Sequence, residues 1–258
     1  MMIQKKNLKV SDNNLAPVYK FYFNGSYKKA LSALDALTHD FPKDSLLYSI
    51  GGDCYISLAE YEKALLCYEE AIKLSPDNIL LYRKTIETLG LCGKIEESLK
   101  LCNKAINIAP DNSDLYLLQG KFFQKSENFN KAIDSYNQVI KLSPNNVDAF
   151  NNKAHSLESL RDFEAAVVCA KKAIEIKNDY SPAFFNLGVS AMHLRLFDLS
   201  MQSFNKAIKL EPNCEKYKFA KATLLLMYGD FKNGWVLWES RWKIDKLFSP
   251  KLETNRPV

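Results

Sequence analysis

The sequence has few of the residues and motifs that build catalytic and metal sites. Its 258 residues include only three histidines and nine glycines, and no glycine-rich phosphate-binding, zinc-protease or nucleophile-elbow motif occurs. A zinc site needs three or four converging donors, and the spacing of His39, His155 and His193 does not place two of them on one helix face. We therefore expect a protein that is not an enzyme and that has no catalytic residue, no cofactor and no metal site.

The cysteines lack the spacing of a redox or zinc site. No two of the six form a Cys-x-x-Cys motif, and no long apolar run follows the basic N-terminal residues. This pattern predicts core thiols in a reducing compartment, the cytoplasm, without a signal peptide or a membrane helix. The cysteines are Cys54, Cys67, Cys92, Cys102, Cys169 and Cys214.

An excess of charge of one sign is also missing. The formal net charge is only +5, and lysine and arginine alternate with aspartate and glutamate along the chain. Mixed charge of this kind is typical of solvated helix surfaces. It gives no support for a nucleic-acid partner or for binding to a membrane surface.

The sequence does have a pattern that returns every 34 residues. A proline stands at the same position of each period except one, where Asn178 takes its place. Small residues recur twelve and five positions before each proline position, where they would let two helices approach closely. A period in this range is the signature of a helical solenoid. The prolines are Pro42, Pro76, Pro110, Pro144 and Pro212, and the small residues are Ala64, Ser98, Ala132, Ala166 and Ser200, then Ala71, Ala105, Val139, Ala173 and Ala207.

Each period contains two helices. In residues 61–74, apolar residues recur at three- and four-residue steps, which predicts one apolar helix face. The run at 75–78, Ser-Pro-Asp-Asn, ends that helix because proline has no amide hydrogen, while Asp and Asn favour turns and caps. A first helix precedes each such second helix, and a tight turn joins the two, with Gly25, Gly93 and Gly229 at one equivalent position.

The aromatic, leucine-glycine, tyrosine, alanine and proline positions of this pattern resemble the tetratricopeptide repeat over residues 11–242. The resemblance implies an all-α, right-handed superhelical solenoid in which the first helices line a concave groove and the second helices lie outside. We expect a flexible arm at 1–10, a single solenoid over 11–242 and an extended tail at 243–258. The first helix is expected to start near Pro17 and to end at Phe23. The predicted units are about 11–44, 45–78, 79–112, 113–146, 147–180, 181–214 and 215–242.

The groove is the predicted place for function, as a site for an extended or helical protein segment. Positions on the side of a first helix opposite its packing face should point into the groove. Uncovered apolar side chains there, Leu117 and Phe185 among them, favour a partner. The predicted groove residues are Arg83, Lys84, Leu117, Lys121, Asn151, Asn152, His155, Phe185 and Asn186.

Two features of the groove bear on the kind of partner. The stretch with Arg83, Lys84, Lys121 and Lys125 is the most basic, which predicts an acidic partner. Asn152 and Asn186 share one position, at which the O-linked N-acetylglucosamine transferases carry a ladder of asparagines that binds peptide backbone. An amide side chain can both donate and accept a hydrogen bond, so it can bind a peptide backbone. In the other units of this chain, however, residues other than asparagine occupy this position.

The last period departs from the pattern. Its second helix is expected over residues 229–242 and contains Trp235, Trp238 and Trp242, the three tryptophans of the chain. Their spacing stacks them along one helix face. We expect Trp238 to be buried, since it takes the aromatic position of the regular units, and Trp235 to lie at the surface.

The same segment resembles the junction between repeats and catalytic domain in bacterial glycosyltransferases related to O-linked N-acetylglucosamine transferase. The leading hypothesis is a non-catalytic protein–protein interaction scaffold. The resemblance implies an alternative, the substrate-docking N-terminal part of such a glycosyltransferase without its catalytic domain. The matching residues are Gly229, Asp230, Phe231, Gly234, Trp235, Glu239, Arg241 and Trp242.

Overall fold

A computed structural model of the protein describes residues 9–239 and Trp242. These residues form fourteen helices and, within the described ranges, no strand. The helices are α1 (Asp12–Phe23), α2 (Tyr27–Asp40), α3 (Ser45–Ser57), α4 (Tyr61–Leu74), α5 (Ile79–Leu91), α6 (Ile95–Ile108), α7 (Ser113–Lys125), α8 (Phe129–Leu142), α9 (Val147–Ser159), α10 (Phe163–Ile176), α11 (Ser181–His193), α12 (Phe197–Leu210), α13 (Glu215–Met227) and α14 (Phe231–Trp238).

The chain divides into two compact units, Met1–Asn128 and Phe129–Val258. Helices α1 to α7 belong to the first unit and α8 to α14 to the second, and within each unit consecutive helices pack on one another. The all-α helical-repeat fold is confirmed. A single array over 11–242, its right-handed superhelix and its groove stay predictions.

The small residues of the 34-residue pattern lie where helices meet. Both series are completely buried, with Ala64 and Ser98 in one and Ala71 and Ala105 in the other at 0% exposure. Ser200 adds a hydrogen bond, because its Oγ donates to the carbonyl oxygen of Gly188 at 2.7 Å. The periodic small residues therefore set how closely paired helices approach.

In two helix pairs a large side chain is matched by a glycine of the partner helix. The ring of Tyr68 on α4 fills the space in front of Gly52 on α3, where a Cβ would lie 2.3 Å from Tyr68 Cε1. Phe204 and Gly188 form the same arrangement in the second unit, with the nearest ring atom 2.6 Å from a Cβ at 188. Interiors packed to this density tolerate no added methyl group without movement.

The turns inside the pairs share one backbone conformation. The equivalent residue has a positive φ in each of the seven turns, from 57° at Ala59 to 86° at Gly229. Glycine occupies three of these positions, as the sequence pattern predicts for a left-handed residue. The other four, Ala59, Glu127, Arg161 and Arg195, show that the repeat imposes the turn even without glycine.

Asx caps start the first helices. The side chains of Asp44, Asn78, Asn112 and Asn146 each accept a hydrogen bond from a backbone N–H in the first turn of the following helix. These residues satisfy amides that have no partner inside the helix. The Pro-Asp-Asn break thus ends one helix and caps the next, as expected.

Two predicted helix boundaries are wrong. Helix α1 starts at Asp12 and contains Pro17. One missing amide removes a single hydrogen bond, and the buried Leu15 and Val18 hold the helix on both sides of it. Helix α14 spans only Phe231–Trp238 of the predicted 229–242. The predictions for residues 1–8, Ser240, Arg241 and 243–258 lie outside the described residues.

Candidate functional site

In the first unit, side chains of the first helices α3, α5 and α7 form one connected surface, which we call the first-unit face. Lys84 on α5 donates to Asp53 Oδ2 at 2.6 Å and to Ser49 Oγ at 3.1 Å, both on α3. The hydroxyl of Tyr68 donates to the other oxygen of Asp53 at 2.7 Å. These bonds fix Lys84 and neutralise its charge.

Arg83 is also held by carboxylates. Its guanidinium lies 3.6 Å from Asp114 Oδ2 on α7 and 3.8 Å from Glu87 Oε1 on its own helix. Lys121 and Lys125 make no ion pair with a described residue, and Lys125 Nζ lies 5.6 Å from the ring centroid of Phe122. Of the predicted basic stretch, the charge that remains available is therefore that of these two lysines.

Apolar side chains of the same three helices are at least partly exposed. Leu46 on α3 and Leu80 on α5 are 42% and 49% exposed, and Leu117 on α7 is half-buried. Leucines left in contact with water on a face that also carries two available cations make this face suited to an amphipathic protein segment.

In the second unit, α9, α11 and α13 form the second-unit face. Asn186 Nδ2 on α11 donates to Asn151 Oδ1 on α9 at 2.9 Å and to the Asn151 carbonyl oxygen at 3.2 Å. Both asparagines are buried, and Asn151 Nδ2 lies 3.4 Å from Asn152 Oδ1. The amides of Asn151 and Asn186 therefore bind each other and join the two helices.

Phe185 was expected to be uncovered, and that expectation is wrong. The residue is 8% exposed, its ring stacks on Tyr217 with centroids 5.1 Å apart, and Lys216 Nζ lies 4.4 Å from its centroid. Position 5 of α11 faces α13, because the next first helix covers one edge of this side of α11.

Sequence reasoning missed the charged cluster on this face, formed by His155 and Glu158 on α9 and Lys216 on α13. Burial raises the pKa of Glu158 to about 6, and the nearby Lys216 opposes that change. Burial lowers the pKa of His155, and Lys216 lowers it further. Glu158 Oε2 is buried without a hydrogen-bond partner. The signal in the sequence was a carboxylate one helical turn after His155, at a position that was not among those predicted to face the groove.

Replacing Glu158 with glutamine is expected to stabilise the protein by about 1 kcal/mol at pH 8 and to leave it unchanged at pH 4. The folded chain binds the Glu158 proton more tightly than the unfolded chain, because burial raises the pKa from 4.5 to about 6. This carboxyl therefore favours folding below pH 4.5, and the contribution is lost as pH rises through 6. Urea denaturation across this pH range measures the difference.

The matched control is Glu164→Gln on the exposed start of α10, which should change stability by less than about 0.5 kcal/mol. His155 acts in the opposite sense, since its pKa is lowered from 6.5 and its contribution is lost as pH falls. In Glu158→Gln, stability should therefore rise with pH up to 6.5. A variant with the same pH profile as the wild-type protein would contradict the assignment of Glu158.

The cysteines are free, and Cys54, Cys102 and Cys169 are buried. Burial raises the pKa of the Cys54 thiol to about 11 and that of Cys102 to about 12. Such thiols stay protonated at neutral pH and are unreactive. This agrees with core thiols at these three positions, while Cys67, Cys92 and Cys214 are only half-buried.

Other kinds of site were sought in the described part of the chain. Within it, no group of three or more His, Cys, Asp or Glu side chains could hold a metal ion. None of its helices has both the length and the apolar character needed to span a membrane.

At the last helix pair, Gly234 determines the packing. A Cβ at Gly234 would lie 2.6 Å from Leu226 Cδ2 on α13, so a larger residue here would displace the Leu226 side chain. Trp238 packs on Phe219 with ring centroids 4.8 Å apart but remains half-buried, less than predicted. The prediction that Trp235 lies at the surface is confirmed, since it is 57% exposed.

The repeated helix pairs define an all-α helical-repeat protein. A family described as "TPR repeat" matches residues 52–84 and 120–160, and one described as "Tetratricopeptide repeat" matches 147–180 and 181–214. These segments are tetratricopeptide repeats, as the pattern predicted. No curated protein that was compared with the sequence matches it.

Solved structures share the fold. A tetratricopeptide repeat protein from Parabacteroides merdae is 13% identical, with a TM-score of 0.73 over 90% of this chain and 92% of that one. The C-terminal part of a repeat protein from Cytophaga hutchinsonii is 17% identical, with a TM-score of 0.67 over 90% and 95%.

YrrB, described as a tetratricopeptide repeat protein with an unusual peptide-binding site, is 21% identical, with a TM-score of 0.59 over 73% of this chain and 97% of its own. Identities this low show the fold alone. The resemblance of residues 229–242 to a glycosyltransferase junction has no support in these matches.

Proposed function

We propose that this chain is a non-catalytic protein-interaction scaffold that binds a peptide or protein segment on the faces of its first helices. Tetratricopeptide repeat proteins are typically scaffolds of this kind. The observation that carries the proposal is the first-unit face, where Leu46 and Leu80 are 42% and 49% exposed and where Lys121 and Lys125 remain available for ion pairs. Peptide binding by YrrB supports the same reading.

The partner segment carries carboxylates, and they contact Lys121 and Lys125. Arg83 and Lys84 contribute less to its charge preference, because Asp114, Glu87 and Asp53 already neutralise them. Asn151 and Asn186 act by keeping α9 and α11 in register, and Asn152 and His155 remain the candidates for contact with the segment in the second unit. The free cysteines support a reducing location, the cytoplasm.

Reversing both lysines, Lys121→Glu with Lys125→Glu, is expected to weaken the binding of an acidic peptide at least about tenfold, because two attractions become repulsions. Peptides selected for the wild-type chain from a displayed random library serve as ligands, and fluorescence anisotropy measures their affinity. Affinity for the wild-type chain should also fall as salt rises, since exposed charges are screened.

The matched control reverses two exposed lysines of second helices, Lys171→Glu with Lys209→Glu, which makes the same change in net charge. This control should keep the wild-type affinity within about twofold. Equal weakening by both pairs would mean that only net charge matters. Unchanged affinity in the Lys121 and Lys125 pair would contradict the proposed contact.

A further inference from the structure

A cavity of about 500 Å³ lies in the first unit between α4, α5 and α6. It differs from the first-unit face, because the second helices α4 and α6 provide most of its lining and α5 provides only Thr85 and Leu89. Clefts that hold small ligands have volumes of roughly 300–1,000 Å³. The size of this cavity therefore fits a small molecule.

Part of the lining is apolar. Ile72 on α4, Leu89 on α5 and Leu101 on α6 all line the cavity, and each is half-buried. Thr85 lies one helical turn before Leu89, so both residues are on the same side of α5. The Thr85 hydroxyl already donates to the carbonyl oxygen of Leu81 at 2.8 Å. Contact with water is unfavourable for the three apolar side chains, so an apolar ligand group would be stabilised there.

The repeat pattern explains the space at this place. The other first helices of the first unit carry an aromatic residue at the position of Leu89, and these residues are Phe21, Tyr55 and Phe123. A leucine side chain is smaller than any of them. Helix α5 therefore leaves space next to α4 and α6 that an aromatic ring at position 89 would occupy.

Two cations on α6 border the cavity. Lys100 and Lys104 are exposed and belong to its lining, and neither makes an ion pair with a described residue. Lys104 Nζ lies 5.7 Å from the ring centroid of Tyr82. Lys73 on α4 is different, because Glu70 Oε1 lies 2.6 Å from its Nζ. The positive charge available to a ligand is therefore that of Lys100 and Lys104.

The charges are ordered along the cavity. Glu69 and Glu97 also line it, and each precedes a lysine of its own helix that lines it too, Lys73 and Lys104. Consecutive helices joined by short connections are antiparallel, and the connections between α4, α5 and α6 are short. Helices α4 and α6 therefore run in the same direction, which places both carboxylates towards one end of the cavity and these two lysines towards the other.

We propose that this cavity binds a small amphiphile, a medium-chain carboxylate with a linear apolar tail. The tail contacts Ile72, Leu89 and Leu101. The carboxylate lies at the lysine end, where Lys100 and Lys104 attract it, because the two glutamates at the other end would repel it. A protein segment is a poorer occupant, since a standard interface takes roughly 20–30 residues from each partner and nine residues line this cavity.

Isothermal titration calorimetry of the full chain with decanoate, below its micelle concentration, measures this binding. Decanoate should bind saturably at one site. Butyrate has the same head and a shorter tail, and it should bind at least about tenfold more weakly because it buries less apolar surface.

Two variants test where decanoate binds. Leu89→Phe should weaken its binding at least about tenfold, because the ring fills the cavity. The fold should persist, since other first helices of the unit carry an aromatic residue at this position, and circular dichroism checks it. Lys100→Glu with Lys104→Glu should also weaken binding at least about tenfold, because two attractions become repulsions.

The matched control is Lys171→Glu with Lys209→Glu, which makes the same change in net charge on exposed positions of other second helices and should keep the affinity within about twofold. An absence of saturable decanoate binding, unchanged affinity in either cavity variant or equal weakening by the control would overturn the proposal.

The cavity and the scaffold function are tested separately. Leu89→Phe should leave the affinity for the selected acidic peptide within about twofold of wild type, because the peptide contacts Lys121 and Lys125 on another helix. Failure of decanoate to bind therefore leaves the scaffold function intact. Displacement of bound decanoate by that peptide would assign the cavity to a protein segment and overturn the proposal.

Discussion

Replacing Gly52 with alanine is expected to lower the free energy of unfolding by about 2–3 kcal/mol, although alanine favours helices. The new Cβ would lie 2.3 Å from Tyr68 Cε1 and 2.7 Å from Cδ1 and Cζ. The ring cannot move away, because Tyr68 is 2% exposed and its hydroxyl is held by Asp53 at 2.7 Å. Overpacking of a rigid core contact outweighs the gain in helix propensity.

The neighbouring glycine provides the control. A Cβ at Gly51 would meet Cys67 Sγ at 3.6 Å and Leu34 Cδ1 at 4.0 Å, which are ordinary contacts. Gly51→Ala should therefore stabilise the protein by up to about 1 kcal/mol, the difference in helix propensity. Urea denaturation followed by circular dichroism compares the two variants. If both changed stability in the same direction by similar amounts, the close fit between α3 and α4 would be wrong.

Replacing Phe204 with alanine is expected to cost about 4 kcal/mol, whereas replacing Trp238 should cost about 2 kcal/mol despite its larger ring. The two residues occupy equivalent positions of consecutive pairs. Phe204 is 0% exposed, fills the space in front of Gly188 and lies 6.1 Å from Phe185 between ring centroids. Trp238 is only half-buried, so truncation removes fewer contacts.

Repeat arrays can unfold in parts, so two probes are needed for this comparison. Circular dichroism reports the whole chain, while tryptophan fluorescence reports only the last pair, because all three tryptophans lie between 235 and 242. Because Trp238→Ala removes one of these tryptophans, its stability is compared with that of Phe204→Ala by circular dichroism alone. A cost for Trp238 equal to or above that for Phe204 would contradict its partial burial.

The repeat was predictable because the period fixes local structure and packing together. Ala64 and Ala71 had to be small because they meet other helices, and both are fully buried. The ends were less predictable, because a terminal helix lacks neighbours that define its limits. Pro17 was interpreted as a helix start, yet the buried Leu15 and Val18 extend the helix across it.

The sequence could predict the candidate site only as one side of each first helix. Periodicity places Asn151 and Asn186 on that side, but it does not reveal that their amides bind each other. Likewise, the charges of Lys84 and Asp53 were visible in the sequence, while their 2.6 Å contact depends on how α3 and α5 lie side by side. Such pairings between helices are properties of packing, which a single-helix pattern does not contain.

Hydroxyl-radical footprinting of the full chain with a bound, selected acidic peptide tests the central claim most directly. Binding on the first helices should protect Leu46 and Leu80, which are 42% and 49% exposed, and leave Leu66 and Val168 of the second helices, at 64% and 67%, as reactive as before. Protection of Leu66 or Val168 with unchanged reactivity at Leu46 and Leu80 would contradict the proposed scaffold face.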